Sequence, residues 1–259
     1  MGKPSSQTST SAPSRAGSRP ASNGTAGSLN PLLLLGIVVV LVLAGIFVFS
    51  RRGGGGTAAT QPVASVSTDP ASLQTAQGME LGSPTAPVQL HEYADFQCPA
   101  CQQFSTFIHP LIKERLIDTG LVRMVRYDFP LVNAHQHAFL AARAARCAAD
   151  QGKYWEYHDV LYARQASWST LRSPVDVFGD YSEAVGMNRK AFDQCLRSDQ
   201  HAEEVTRNLR LGEALGVTGT PSFLINGQRA SFGTYQELEA RVMEIAGRAS
   251  ATTAEPTVQ

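Results

Sequence analysis

The chain has 259 residues, with 22 basic and 22 acidic side chains and therefore no formal net charge. That length allows one domain of up to about 200 residues plus extensions, and the neutral balance argues against a nucleic-acid partner. Four cysteines permit two disulfides in three connectivities, and their meaning depends on the compartment.

Residues 1–30 are rich in Ser, Gly, Pro, Thr and Ala, carry Lys3, Arg15 and Arg19, and contain no acidic residue. Such a segment cannot bury a core and is expected to form a disordered cytoplasmic tail. From Leu32 to Phe49 the chain runs 18 residues without a charge, enough for about 27 Å of helix. The expectation is a single uncleaved transmembrane helix over 31–50. A cleaved signal peptide is the alternative, but the run is longer than the usual apolar region of about 7–15 residues and starts far from Met1. Arg15 and Arg19 on one side nearly balance Arg51 and Arg52 on the other, so charge alone does not orient the anchor. Cysteines that must be oxidised belong outside the cytosol, which sets the C-terminal part on the extracytoplasmic side. Residues 51–77, with four glycines at 53–56 and a Thr/Ala/Ser/Pro-rich run, read as a flexible linker.

The folded domain is expected over 78–248. Val88–Tyr93 alternates as a strand, placing Val88, Leu90, Glu92 and Ala94 on one face. Asp95-Phe96-Gln97-Cys98-Pro99-Ala100-Cys101 follows, and a helix is expected from Pro99 to about Asp118. Pro99 suits the first helical turn, which puts Cys98 at the helix N-terminus, where free N–H groups and the helix dipole stabilise a thiolate. Cys101, one turn on, can attack a mixed disulfide formed at Cys98. Glu92 lies either buried beneath the pair, where it could relay the Cys101 proton, or on a solvent-facing strand surface. Pro110 is expected to kink the helix near Phe107–His109.

Leu121–Phe129 reads as a second strand ended by Pro130. From about 133 to 215 the pattern is helical, with Leu140, Ala144 and Cys147 on one face and Phe192, Cys195 and Leu196 on another behind an Asn188 cap. Ser222–Ile225, Asn226-Gly227 and Gln228–Ser231 form a hairpin signal. Thr234 and Glu237 form a capping box for a last helix carrying Leu238, Val242 and Ile245. Residues 249–259 read as a loose tail. The order is α/β with a small mixed sheet and a helical insertion.

This order resembles the DsbA-like thiol-disulfide oxidoreductases, a thioredoxin fold interrupted by a helical domain. The resemblance covers roughly 78–248. It rests on the Asp95–Cys101 stretch, on Phe129-Pro130-Leu131 with the Ala-rich helix and Gln151-Gly152-Lys153-Tyr154-Trp155-Glu156-Tyr157-His158, and on Gly219-Thr220-Pro221-Ser222-Phe223. A CxxC alone is a weak signal; the three motifs in this order are specific. The family implies that Cys98 is the exposed nucleophile and Cys101 the buried resolving thiol. It implies a cis-proline at Pro221 facing the pair, with the Thr220 backbone pairing with an extended substrate segment, and a buried acid at Glu92. It also implies a disulfide between Cys147 and Cys195 within the insertion, where the residues alone are equally read as free buried thiols. Ala100 departs from the strongest oxidants of the family, which have a histidine there.

The resemblance implies folding proteins with thiols as substrates, a membrane-bound reoxidase as partner, a monomer, and no cofactor or metal. Three other readings stand beside it. One is a reductase or isomerase of the same fold. Another is a zinc site using Cys98, Cys101, His135 and His137. The last is an anchored binding or chaperone-like module with purely structural disulfides.

Overall fold

The structure is a computed structural model that describes residues 35–37, 40, 58–63, 66–67 and 69–253, with side chains to 248. The chain divides into two compact units, Met1–Gly54 and Gly55–Gln259. In the first, residues 35–37 and 40 are helical. The expected tail at 1–30, most of the expected anchor at 31–50, and residues 51–57 and 254–259 lie outside the described residues. Among the described residues no helix is long and apolar enough to cross a membrane.

The second unit carries a five-stranded sheet in the order β1-β3-β2-β4-β5: β1 Met79–Leu81, β2 Val88–Ala94, β3 Val122–Asp128, β4 Ser222–Ile225 and β5 Gln228–Ala230. β2 and β3 pair in parallel and every other pair is antiparallel. The hairpin β4–β5 turns at Asn226 and Gly227, whose φ angles of 47° and 78° are the left-handed pair that a two-residue hairpin loop requires. One sheet face packs Val88, Leu90, Phe223 and Ile225 against Phe104, Ile112, Leu116, Leu238 and Val242. On the other side, Tyr93 and Phe129 pack on Leu209. There Gly212 sits so close to the Phe129 and Tyr93 rings that a Cβ would clash with both.

The helical insertion comprises Ala138–Ala149, Tyr154–Ala163, Gln165–Trp168, Val175–Ala184, Arg189–Ser198 and Ala202–Ala214. Asn188 caps its helix by accepting the Ala191 N–H. Cys147 and Cys195 are joined in a disulfide. A buried charge cluster fastens the insertion to the sheet. Arg126 donates to the hydroxyls of Tyr154 and Tyr162, each at 2.9 Å, while Arg146 bridges Asp128 and Asn208.

Four details differ from expectation. Residues 58–63 of the expected linker are not free of the domain: Ala59 N–H donates to Asp199, Val63 N–H to Thr206, and Arg143 donates to the Ala59 carbonyl. A short helix at Pro70–Leu73 lies within the same expected linker, and strand β1 follows it. These segments were illegible because small and polar residues dock there through backbone groups. Near Pro110 the helix widens into a π-helical stretch at Phe104–Ile108, with the His109 N–H reaching Phe104, rather than simply kinking. A proline lacks the N–H and crowds the carbonyl four residues back, and the wider turn accommodates both. The capping box is displaced, since Glu237 accepts from Gly233 N–H while Thr234 accepts from Glu237 N–H. Finally, the last helix continues into the expected tail as far as Thr253.

Candidate active site

β2 leads into the cysteine loop, and Cys98 is the N-cap of the helix Pro99–Gln103, with Pro99 in its first turn. Pro99 needs no partner there, and the N–H groups of Ala100 and Cys101 remain free to face the Cys98 sulfur. Both cysteines are free thiols. The Cys98 pKa falls to about 5, chiefly through the Cys101 thiol donating to the Cys98 sulfur, with the Thr220 side chain and the two backbone N–H groups adding to this against partial burial. Cys101 moves well upward, first because it is buried and then because Cys98 and Glu92 oppose a second negative charge. One sulfur is therefore readily ionised and its neighbour keeps its proton, as a stepwise exchange needs.

The family expectation of an exposed Cys98 needs qualification. It retains 7% of its surface and Cys101 none. The loop before β4 covers it: Cys98 Sγ lies 3.4 Å from the Thr220 carbonyl, and the Thr220–Pro221 peptide is cis. That carbonyl accepts from a thiol, whereas a thiolate needs a donor. The Thr220 hydroxyl, buried and without another hydrogen-bond partner among the described residues, lowers the Cys98 pKa.

Glu92 is 2% exposed, so it lies inside the fold and not on a solvent-facing surface. It sits in register with Arg126 on β3 and Phe223 on β4. Burial raises its pKa to about 7, and Arg126 opposes the rise. The Arg126 guanidinium itself stacks 4.0 Å from the Phe96 ring centroid.

Several residues at the site went unread in the sequence. Arg126 continues the alternation of Val122 and Met124, so a charge on an apolar strand face was its signal. Gln165 offered none. Its amide donates to the carbonyls of Phe96 and Cys98 at 2.7 and 3.0 Å, holding the cysteine loop from the insertion. Asp95 accepts from Gln97 N–H, Leu131 N–H and the His135 ring.

The structure does not gather a zinc donor set. His135 is bound to Asp95, and His137 turns Nε2 to the Leu171 carbonyl. Among the described residues, the His/Cys/Asp/Glu group close enough for a metal is Cys147, Cys195 and His201, and its two sulfurs are bonded to each other. Beside the cysteine pair opens an apolar groove of about 300 Å³, lined by Ala100, Phe104, Phe107, Pro221, Phe223 and Phe232.

A thioredoxin family model matches residues 74–243. A sodium/proton antiporter, NhaA 3, of Salinispora tropica is 38% identical over 164 residues, which are 62% of this chain and 24% of the relative. The chain thus spans about a quarter of the length of the first curated relatives it matches. The probable disulfide bond formation protein D of Bacillus anthracis is 28% identical over 79% of this chain and 92% of its own length. Among solved structures, α-DsbA1 of Wolbachia pipientis shares the fold with a TM-score of 0.62 and 24% identity, over 68% of this chain and 94% of that one.

Proposed function

The chain belongs to the thioredoxin family, and from that premise we propose that it is a DsbA-like protein thiol-disulfide oxidoreductase. It works on the extracytoplasmic side, with 31–50 as its membrane anchor, and donates disulfides to folding proteins. The observation that carries this is the placement of Cys98 as the N-cap of a helix beside the Thr220 loop, with Cys101 fully buried one turn on, which moves the Cys98 pKa downward and that of Cys101 upward.

In the oxidised protein Cys98 and Cys101 share a disulfide. A substrate thiolate attacks Cys98 Sγ, the Cys98–Cys101 bond breaks, and Cys101 leaves as a thiolate that takes a proton from Glu92. A second substrate thiolate then attacks the substrate sulfur of the mixed disulfide and releases the Cys98 thiolate. The substrate loses two electrons and the cysteine pair gains them. A membrane partner that accepts two electrons returns the pair to the disulfide. The Thr220 backbone next to cis-Pro221 pairs with the substrate segment, and the groove at Phe107 takes its apolar side chains.

A stable Cys98 thiolate favours the dithiol and hence a donor of disulfides. The test is the reduction potential of the full chain, equilibrated with glutathione buffers. A value nearer about −120 mV than about −270 mV supports donation, and one at the low end makes the protein a reductase. A reduced Cys98 inert to alkylating reagents would instead leave an anchored binding module.

A further inference from the structure

Pro99 and Ala100, between the cysteines, offer the thiolate no side-chain charge. A histidine from elsewhere is bonded to the loop that carries it. His135 lies in the loop after β3, with Nδ1 2.7 Å from Asp95 Oδ2. Asp95 opens the cysteine loop, is fully buried, and accepts the Cys98 N–H on its own carbonyl at 3.2 Å. Its carboxyl oxygens also accept the N–H groups of Gln97 at 2.6 Å and Leu131 at 2.9 Å. With the carboxyl acting as acceptor throughout, the hydrogen between it and His135 belongs to the imidazole. Nδ1 is thereby committed to Asp95, and protonation at Nε2 makes the ring a cation without breaking that bond. Its neighbour His137 is occupied, with its backbone N–H on Gln97 and its Nε2 on the Leu171 carbonyl.

We propose that His135, joined through Asp95 to the backbone of the cysteine loop, is a positioning residue that stabilises the Cys98 thiolate in place of a side chain between the cysteines. The Asp95 hydrogen bond is the largest effect raising the His135 pKa; burial opposes it, and the charges of Asp95 and Cys98 add to it. That attraction is mutual, so a cationic His135 favours the ionised Cys98. Among the described residues, Asp95 and Cys98 are the charged groups acting on this ring. His135 is only partly buried, so its side chain can be changed without opening a cavity.

The inference rests on reading Cys98 as the attacking sulfur, and its test reads ionisation, not turnover. The reduced full chain is titrated by thiolate absorbance near 240 nm, wild type against His135→Gln. Glutamine keeps an N–H donor for Asp95 and removes the charge. The expected result is a rise of about half a pH unit or more in the Cys98 midpoint, a threefold loss of thiolate stability. The reduction potential should fall by about 14 mV in parallel, at about 30 mV per tenfold for a two-electron couple. His135→Lys should keep the low midpoint. An unmoved midpoint in His135→Gln overturns the proposal and leaves His135 as a loop pin. If that variant does not fold, His135→Leu against His135→Lys replaces it, and a common midpoint in the two is the overturning result. A wild-type midpoint near that of an ordinary thiol would overturn the functional reading as well.

Discussion

Glu92 and Arg126 face each other across the parallel pairing of β2 and β3, with Arg126 Nε 3.7 Å from Glu92 Oε2 and both side chains sealed from water. That separation exceeds a hydrogen bond, and Arg126 Nε has no other partner among the described residues. Its terminal nitrogens are instead committed to Asp128, Tyr154 and Tyr162. The arginine therefore offsets only part of the desolvation of Glu92, and the carboxyl stays at about 7. A group poised there exchanges protons at neutral pH, and Cys101 feels its charge.

Glu92→Gln should slow the step in which Cys101 exchanges its proton. Loss of a positioned acid–base group typically costs about 10²–10⁴-fold; here we expect at least tenfold, seen as slower opening of the Cys98–Cys101 disulfide by a substrate thiolate in quenched single-turnover reactions. The second exchange, which releases the Cys98 thiolate, should change little. Equal slowing of both steps would count against a proton role. Stability gives the second readout. A carboxyl raised from 4.5 to about 7 leaves the folded state holding the extra proton between those values. Stability then falls as pH rises through that window, by at most about 3 kcal/mol, and Glu92→Gln should flatten this part of the profile in urea titrations.

Reduced Cys98 should react with iodoacetamide at a rate that is nearly constant from pH 6 to 8 and drops below about 5. The corresponding stability has the opposite sign to that of Glu92. A thiol depressed in the folded state stabilises the reduced protein fully above its unfolded value near 9, and that gain is lost as pH falls through about 5. Melting temperatures of the reduced and oxidised forms, compared from pH 9 downward, should therefore converge. Parallel profiles would contradict the lowered pKa.

The Cys147–Cys195 disulfide closes a loop of 48 residues and ties the helices Ala138–Ala149 and Arg189–Ser198. The double variant Cys147→Ala/Cys195→Ala leaves no stray thiol and should lose up to about 4 kcal/mol in the loop-entropy account. The potential of the Cys98–Cys101 couple should stay where it is. Calorimetry and glutathione equilibration check the two halves separately, and a shifted potential would tie this disulfide to the active pair.

Phe107 is 69% exposed beside the cysteine pair, an uncommon position for a large apolar ring. Phe107→Ser should raise KM several-fold for a peptide carrying apolar residues next to its cysteine and leave the rate with glutathione unaltered. Stability should move by less than about 0.5 kcal/mol, since the ring buries little. Equal effects on peptide and glutathione would exclude the groove as a substrate contact.

Much of this arrangement was written locally in the chain. Period-two alternation placed Glu92 on the apolar face of β2, the Cys98-Pro99 order set a thiolate at a helix start, and Asn226-Gly227 dictated the hairpin, because each depends on neighbours within a few residues. What brings Thr220, Gln165 and His135 around Cys98 spans 122, 67 and 37 positions of sequence, and polar side chains in loops and on helix surfaces carry no periodic mark of a distant partner. The docking of residues 58–63 was hidden for the same reason: backbone N–H and carbonyl groups make it, and every residue has those. Sequence alone therefore determined which atoms could exchange electrons. Only the tertiary structure decided which charges surround them, because desolvation and Coulomb attraction depend on distance through space and not along the chain.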